Sequence, residues 1–156
     1  MINVILVDDH ILYREGLRSA MHKLPVRIIG EAGSGAEFFM LLESGKVPEL
    51  VMLDIVLPDI SGVEIARRLK AEYPGIKILM LSSEVSEKLS TELLDIGVDG
   101  YLGKVARKED IAMAISTVIG GSQYFGRSIA KMMYDIYPES VRGSKHRPAQ
   151  KSLKAT

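Results

Sequence analysis

The stretch Leu50-Val51-Met52-Leu53-Asp54-Ile55-Val56-Leu57-Pro58-Asp59 decides how the rest of the chain reads. Four apolar residues bounded by turn formers fit a strand of a parallel sheet that is buried on both faces. The run stops on a carboxylate, so Asp54 falls at the strand's C-terminal end. In open α/β sheets that end is where sites are built. Taken alone, the same residue reads better as a turn Asp bonding its own backbone.

Working outward, Asn3-Val4-Ile5-Leu6-Val7 predicts a first buried strand that ends in Asp8-Asp9. The stripe Tyr13, Leu17, Ala20, Met21 and Leu24 predicts a helix closed by Pro25. Residues 27–30 predict a short second strand, and Gly33-Ser34-Gly35 opens a helix carrying Phe38, Leu41 and Leu42. After the opening stretch, Ser61 and Glu64 have the form of a capping box, starting a helix with Ala66, Leu69 and Tyr73 inward. Residues 76–81 predict a fourth strand ending in Ser82-Ser83, and 86–96 a helix closed by Gly97. Residues 99–104 predict a fifth strand. Ile111, Ala114, Ile115, Val118 and Ile119 predict an amphipathic helix. Five strand–helix alternations imply the α/β class: a doubly wound five-stranded parallel sheet in the order 2-1-3-4-5, with helices on both faces. The body is expected to cover 1–120, a linker helix 121–138 with its apolar residues at 128–137, and a basic, disordered tail 139–156.

A length of 156 residues suffices for one domain with a real core, and 47% hydrophobic against 26% charged residues excludes a disordered class. There is no run of eighteen apolar residues, so no membrane span is expected. The N-terminus has no basic region before its short apolar run, unlike a signal peptide. The chain has no Cys, which excludes a disulfide framework, thiolate metal sites and a Cys nucleophile. A cytoplasmic location follows as the expectation. The net charge of zero hides an asymmetry. From Glu139 onward five basic residues (Arg142, Lys145, Arg147, Lys151, Lys154) face one acid; subtracting them from 20 and 20 leaves 15 basic and 19 acidic residues before them. A basic tail suits contact with nucleic acid, or is simply a solvated end.

The ends of the strands collect a set of polar groups. Strand one supplies Asp8 and Asp9, strand three Asp54, strand four Ser82, and strand five is followed by Lys104. Two carboxylates about 4 Å apart repel by roughly 4 kcal/mol at an effective dielectric of 20, so three of them call for a cation. Hard carboxylate oxygens without neighbouring His or Cys select Mg²⁺ or Mn²⁺. A phosphoryl group fits between such a metal, a hydroxyl donor and a Lys, and the reaction class is phosphoryl transfer. With no Ser–His or Cys–His pair, the nucleophile would be a carboxylate.

Asp8-Asp9, Asp54, Ser82 and Lys104, with Leu57-Pro58-Asp59-Ile60-Ser61-Gly62 after the central Asp, resemble the receiver domain of bacterial two-component response regulators, whose fold is flavodoxin-like. The resemblance runs from about Met1 to Ile119. Val-Asp-Asp-His, Leu-Tyr-Arg-Glu-Gly-Leu, Gly-Tyr-Leu-Gly-Lys and Ala-Ile-Ser-Thr-Val-Ile-Gly-Gly resemble the NarL/FixJ (LuxR-type) branch. The resemblance implies that Asp54 accepts a phosphoryl group from a sensor histidine kinase. Asp9 would ligate Mg²⁺ directly, Asp8 through water, and the Val56 carbonyl would be a further ligand. Lys104 would pair with the phosphate, Ser82 would move to bond it, and Tyr101 would swing inward as Ser82 leaves. Gly103 departs from the family, where an apolar residue is usual.

Simpler readings stand beside these roles. Lys104 also reads as an exposed strand-end residue, Tyr101 as a half-buried strand residue, and His10 as a helix-starting residue facing solvent. His22 and His146 read as incidental, and Met132-Met133 as a helix packing face. The expected function is a phosphorylation switch rather than an enzyme with turnover. Its expected readout is the surface of the fourth helix, fifth strand and fifth helix, used for a phosphorylation-dependent homodimer or for output. Regulators of this branch act on DNA through a C-terminal helix-turn-helix domain, for which the residues after Pro138 are too few. The alternatives are a stand-alone receiver acting by protein contact and a Mg²⁺-dependent phosphohydrolase. The latter usually places a second acid two residues beyond the first, where this chain has Val56.

Overall fold

The computed structural model describes residues 1–84 and 86–126. Its elements run β1 (Ile2–Val7), α1 (Ile11–Ala20), β2 (Val26–Ala32), α2 (Gly35–Glu43), β3 (Leu50–Asp54), α3 (Gly62–Glu72), β4 (Lys77–Ser82), α4 (Glu87–Ile96), β5 (Gly100–Gly103), α5 (Lys108–Ile119) and β6 (Tyr124–Phe125). The sheet order is 2-1-3-4-5-6. β1 pairs in parallel with β2 and β3, and β5 with β6. The chain divides into two units at Met80/Leu81.

In the first unit, Val4–Val7 and Leu50–Leu53 have no solvent exposure, as expected for central strands covered on both faces. Leu17, Met21, Phe38, Leu42, Ile65, Ala66 and Leu69 supply the buried faces of α1, α2 and α3 and of the turn after α1. β2 is longer than the short strand expected at 27–30. Its register with β1 slips between Val4 and Ile5, so Ile28 and Gly30 face consecutive β1 residues and Ile29 is the extra one, a β-bulge. Glu31 extends the strand, a charged residue held there by Arg14 and Arg18. The capping box at Ser61 forms only in part. The Ser61 hydroxyl accepts from the Val63 N–H, and Glu64 pairs with Arg67 at 2.6 Å.

In the second unit, Leu93, Ala114, Ile115 and Val118 carry the buried faces of α4 and α5. Ser86 caps α4 by accepting from Leu89 N–H, and Gly97 closes it at φ +85°. The five-strand expectation is corrected here. Tyr124 donates to the Asp99 carbonyl and Gly126 to that of Tyr101, which adds β6 beside β5. A two-residue strand is too short to show a period in the sequence, and its residues fall within the 121–138 stretch expected to form a linker helix. The apolar stretch expected to be helical at 128–137 and the basic tail lie outside the described residues. No helix among the described residues is long and apolar enough to cross a membrane.

Candidate functional site

Four buried residues among those described are polar: Asp8, Asp54, Ser82 and Ser90. Asp8 follows the last residue of β1, Asp54 ends β3 and Ser82 ends β4. Polar groups are costly to bury, and strand ends are where the apolar pattern gives way to them.

In the first unit, Asp8, Asp9, His10 and Asp54 each place one ligand-capable atom within 4.8 Å of all the others. Asp8 and Asp54 are buried, while Asp9 and His10 face solvent. The Asp54 Oδ1 accepts from the Val56 N–H at 3.2 Å, so the turn bond exists alongside the cluster. The Val56 side chain is 72% exposed. His10 starts the first helix and faces solvent, as the sequence suggests. Its Nδ1 lies 3.1 Å from Asp8 Oδ1 and 3.2 Å from Asp9 Oδ1, and its N–H donates to Asp8 Oδ1. As the cap of α1 it is turned back onto the residues just before it.

Surrounding groups pack on the backbone that carries these carboxylates. Arg14 donates to the Asp8 carbonyl and pairs with Glu31 at 2.9 Å. Burial, together with the nearby charges of Asp8 and Asp54, pushes the Tyr13 hydroxyl up to about 12. Gly62 sits where a Cβ would lie 2.1 Å from the Asp54 carbonyl oxygen, so only glycine lets the start of α3 approach the end of β3. Asp59 reaches across to α2 and accepts from the N–H groups of Gly35 and Ala36, each at 2.9 Å. Those backbone bonds hold its carboxyl below the ordinary 3.8. Three carboxylates converging at this range, two of them buried, fit a hard divalent cation.

In the second unit, the Ser82 hydroxyl donates to the Glu84 carbonyl and accepts from the Glu84 N–H at 3.1 Å. Tyr101 is fully buried, not half-buried, and its hydroxyl lies 3.5 Å from the same carbonyl. Burial raises its pKa, offset by the Ser82 hydroxyl beside it. Lys104 follows β5, is half-buried, and its N–H donates to the Ser82 carbonyl at 2.8 Å. A Cβ on Gly103 would meet nothing closer than 3.9 Å, so this departure from the family does not reflect crowding at the β-carbon.

The model of the response regulator receiver domain matches residues 4–116. The chain belongs to that family. Among curated proteins, this receiver is 33% identical over 134 residues to response regulator UvrY of Escherichia coli K12, covering 85% of this chain and 61% of UvrY. It is 35% identical over 125 residues to response regulator protein VraR of Staphylococcus aureus, covering 80% and 59%. The chain thus spans about three-fifths of the curated relatives it matches. Among solved structures, the receiver domain of the putative response regulator NarL from Mycobacterium tuberculosis matches with a TM-score of 0.71 at 26% identity, over 77% of this chain and 97% of that one. The isolated receiver of RcsB from Salmonella enterica serovar Typhimurium shares the fold, with a TM-score of 0.79 at 20% identity over 84% and 97%. The resemblance to the NarL/FixJ branch is borne out, and the chain is a receiver of two-component signalling.

Proposed function

We propose that Asp54 is the phosphoacceptor. One of its carboxylate oxygens attacks the phosphorus of a phosphohistidine on a sensor histidine kinase. The P–N bond breaks, the departing imidazole takes up a proton, and an acyl phosphate remains on Asp54. The observation that carries this reading is a carboxylate only 2% exposed, at the end of β3, gathered with Asp8 and Asp9 inside the family match. Asp9, Asp54 and the Val56 carbonyl would hold Mg²⁺ or Mn²⁺, with Asp8 acting through water; the ion supplies neutralisation of the phosphoryl oxygens.

Lys104 pairs with the phosphate, and Ser82 turns from the Glu84 carbonyl to a phosphate oxygen. Tyr101, already buried against that carbonyl, takes the acceptor that Ser82 gives up. The family match runs through all three positions, and the bonds that the Ser82 and Tyr101 hydroxyls both make to the Glu84 carbonyl support the exchange. Driving such a switch from 1:99 to 99:1 requires about 5.5 kcal/mol of differential stabilisation, within reach of a few charge-assisted hydrogen bonds. The changed surface is that of α4, β5 and α5, read by a second copy or by an output module. The chain catalyses only its own loading and unloading, in the cytoplasm. Its output is transcription regulation through a C-terminal DNA-binding helix-turn-helix domain, a reading supported by the resemblance to the NarL/FixJ branch. A phosphohydrolase reading has nothing to stand on at position 56, where the side chain is apolar.

The test is mass spectrometry after incubation with acetyl phosphate and Mg²⁺. A gain of about 80 Da, the mass of one phosphoryl group, is expected on the wild type and not on Asp54→Asn, given acyl-phosphate chemistry. No gain on the wild type, or an equal gain on the variant, overturns the assignment.

A further inference from the structure

We infer that Arg14 is a positioning residue for the cation site, acting through the backbone of Asp8. This rests on the reading of Asp8, Asp9 and Asp54 as metal-holding carboxylates. The Arg14 side chain is only 16% exposed. Its guanidinium spans two elements, pairing through Nε with Glu31 Oε1 on β2 and donating through a terminal nitrogen to the Asp8 carbonyl after β1. Glu31, itself only 20% exposed, is held from its other oxygen by Arg18. A planar fork anchored at one end fixes the direction of the N–H at the other. The peptide it grips is the one linking Asp8 to Asp9, so the fork sets how the two carboxylates are presented.

Charge alone makes the opposite forecast. A guanidinium next to a cation site repels the incoming ion, so deleting it should tighten binding. Positioning predicts that deletion loosens binding. The two roles therefore differ in sign. Groups behind metal ligands typically change affinity by about 10- to 100-fold on removal, and an effect through a backbone carbonyl belongs at the low end.

The experiment titrates the full chain with Mn²⁺, followed by the loss of the free-ion paramagnetic resonance signal, with no phosphodonor present. Arg14→Ala is expected to bind about tenfold more weakly than the wild type. Arg14→Lys keeps the charge but not the fork, and should stay weak. Arg18→Ala removes a neighbouring charge from the same Glu31 without touching Asp8, and should stay within about twofold of wild type, as a mainly exposed charge. Melting curves without metal, taken for each variant, separate a general loss of stability from weaker metal binding by the folded protein. Binding by Arg14→Ala as tight as wild type or tighter overturns the proposal while leaving the metal reading intact. So does full rescue by Arg14→Lys. Absence of Mn²⁺ binding by the wild type, or unchanged binding by Asp9→Asn, overturns the metal reading and this inference with it.

Discussion

At Asp54, the turn bond to Val56 and membership of a carboxylate cluster coexist in one side chain, because a carboxylate has several lone-pair sites to distribute. The sequence presents these as rivals only because the neighbours from β1 cannot be seen from β3. For His10 two readings coexist as well: it starts the helix facing solvent, and its ring lies against Asp8 and Asp9. Gly62 offers the sharpest residue-level prediction. A methyl group there meets the Asp54 carbonyl oxygen at 2.1 Å and the Ile55 Cα at 2.9 Å, both backbone atoms that cannot rotate aside. Gly62→Ala should therefore cost roughly 1–3 kcal/mol in denaturant unfolding. It should also abolish the phosphoryl gain on the remaining folded protein. Ser61→Ala, which removes only the cap, should cost about 1 kcal/mol and leave that gain in place. Equal loading of Gly62→Ala and wild type would mean the contact does not position Asp54.

Between elements, the most informative contact is the one Asp59 makes with the first turn of α2. The carboxylate meets the free N–H groups of a helix start, where negative charge is also favoured by the helix dipole. Ser34 caps the same helix through the Glu37 N–H. Because bonding lowers the Asp59 pKa, its contribution is present above 3.8 and is lost as pH falls through the lower, folded-state value. Asp59→Ala should melt below wild type at neutral pH, with the gap closing as the pH drops beneath 3.8. A gap that persists unchanged into that range would assign the loss to something other than the carboxylate. The helices and central strands were legible because their apolar stripes recur at fixed spacing. The Asp59 contact was not, since 24 residues separate it from Gly35. The full length of β2 was hidden in the same way, because the charged Glu31 ends the apolar run and its partners Arg14 and Arg18 lie on α1.

For the whole molecule, the alternation of strands and helices yielded the class, the parallel direction and the order of the first five strands, while β6 went unseen. That small strand has a measurable effect. β5 would otherwise present unpaired backbone groups, and the Asp99 and Tyr101 carbonyls are served by Tyr124 and Gly126. A chain cut after Gly120 should unfold at lower denaturant and aggregate more readily than one cut after Gly126. Coincident unfolding curves would show that β6 adds nothing. Because β6 runs parallel to β5, the backbone at Gly126 is heading the same way as the strand that leads to Lys104, and it lies beside Leu102. A peptide fused after Gly126 is thus launched toward the carboxyl-terminal side of β5. A flexible fusion would hold its cargo near Lys104 at a local concentration on the order of millimolar, without any contact surface of its own.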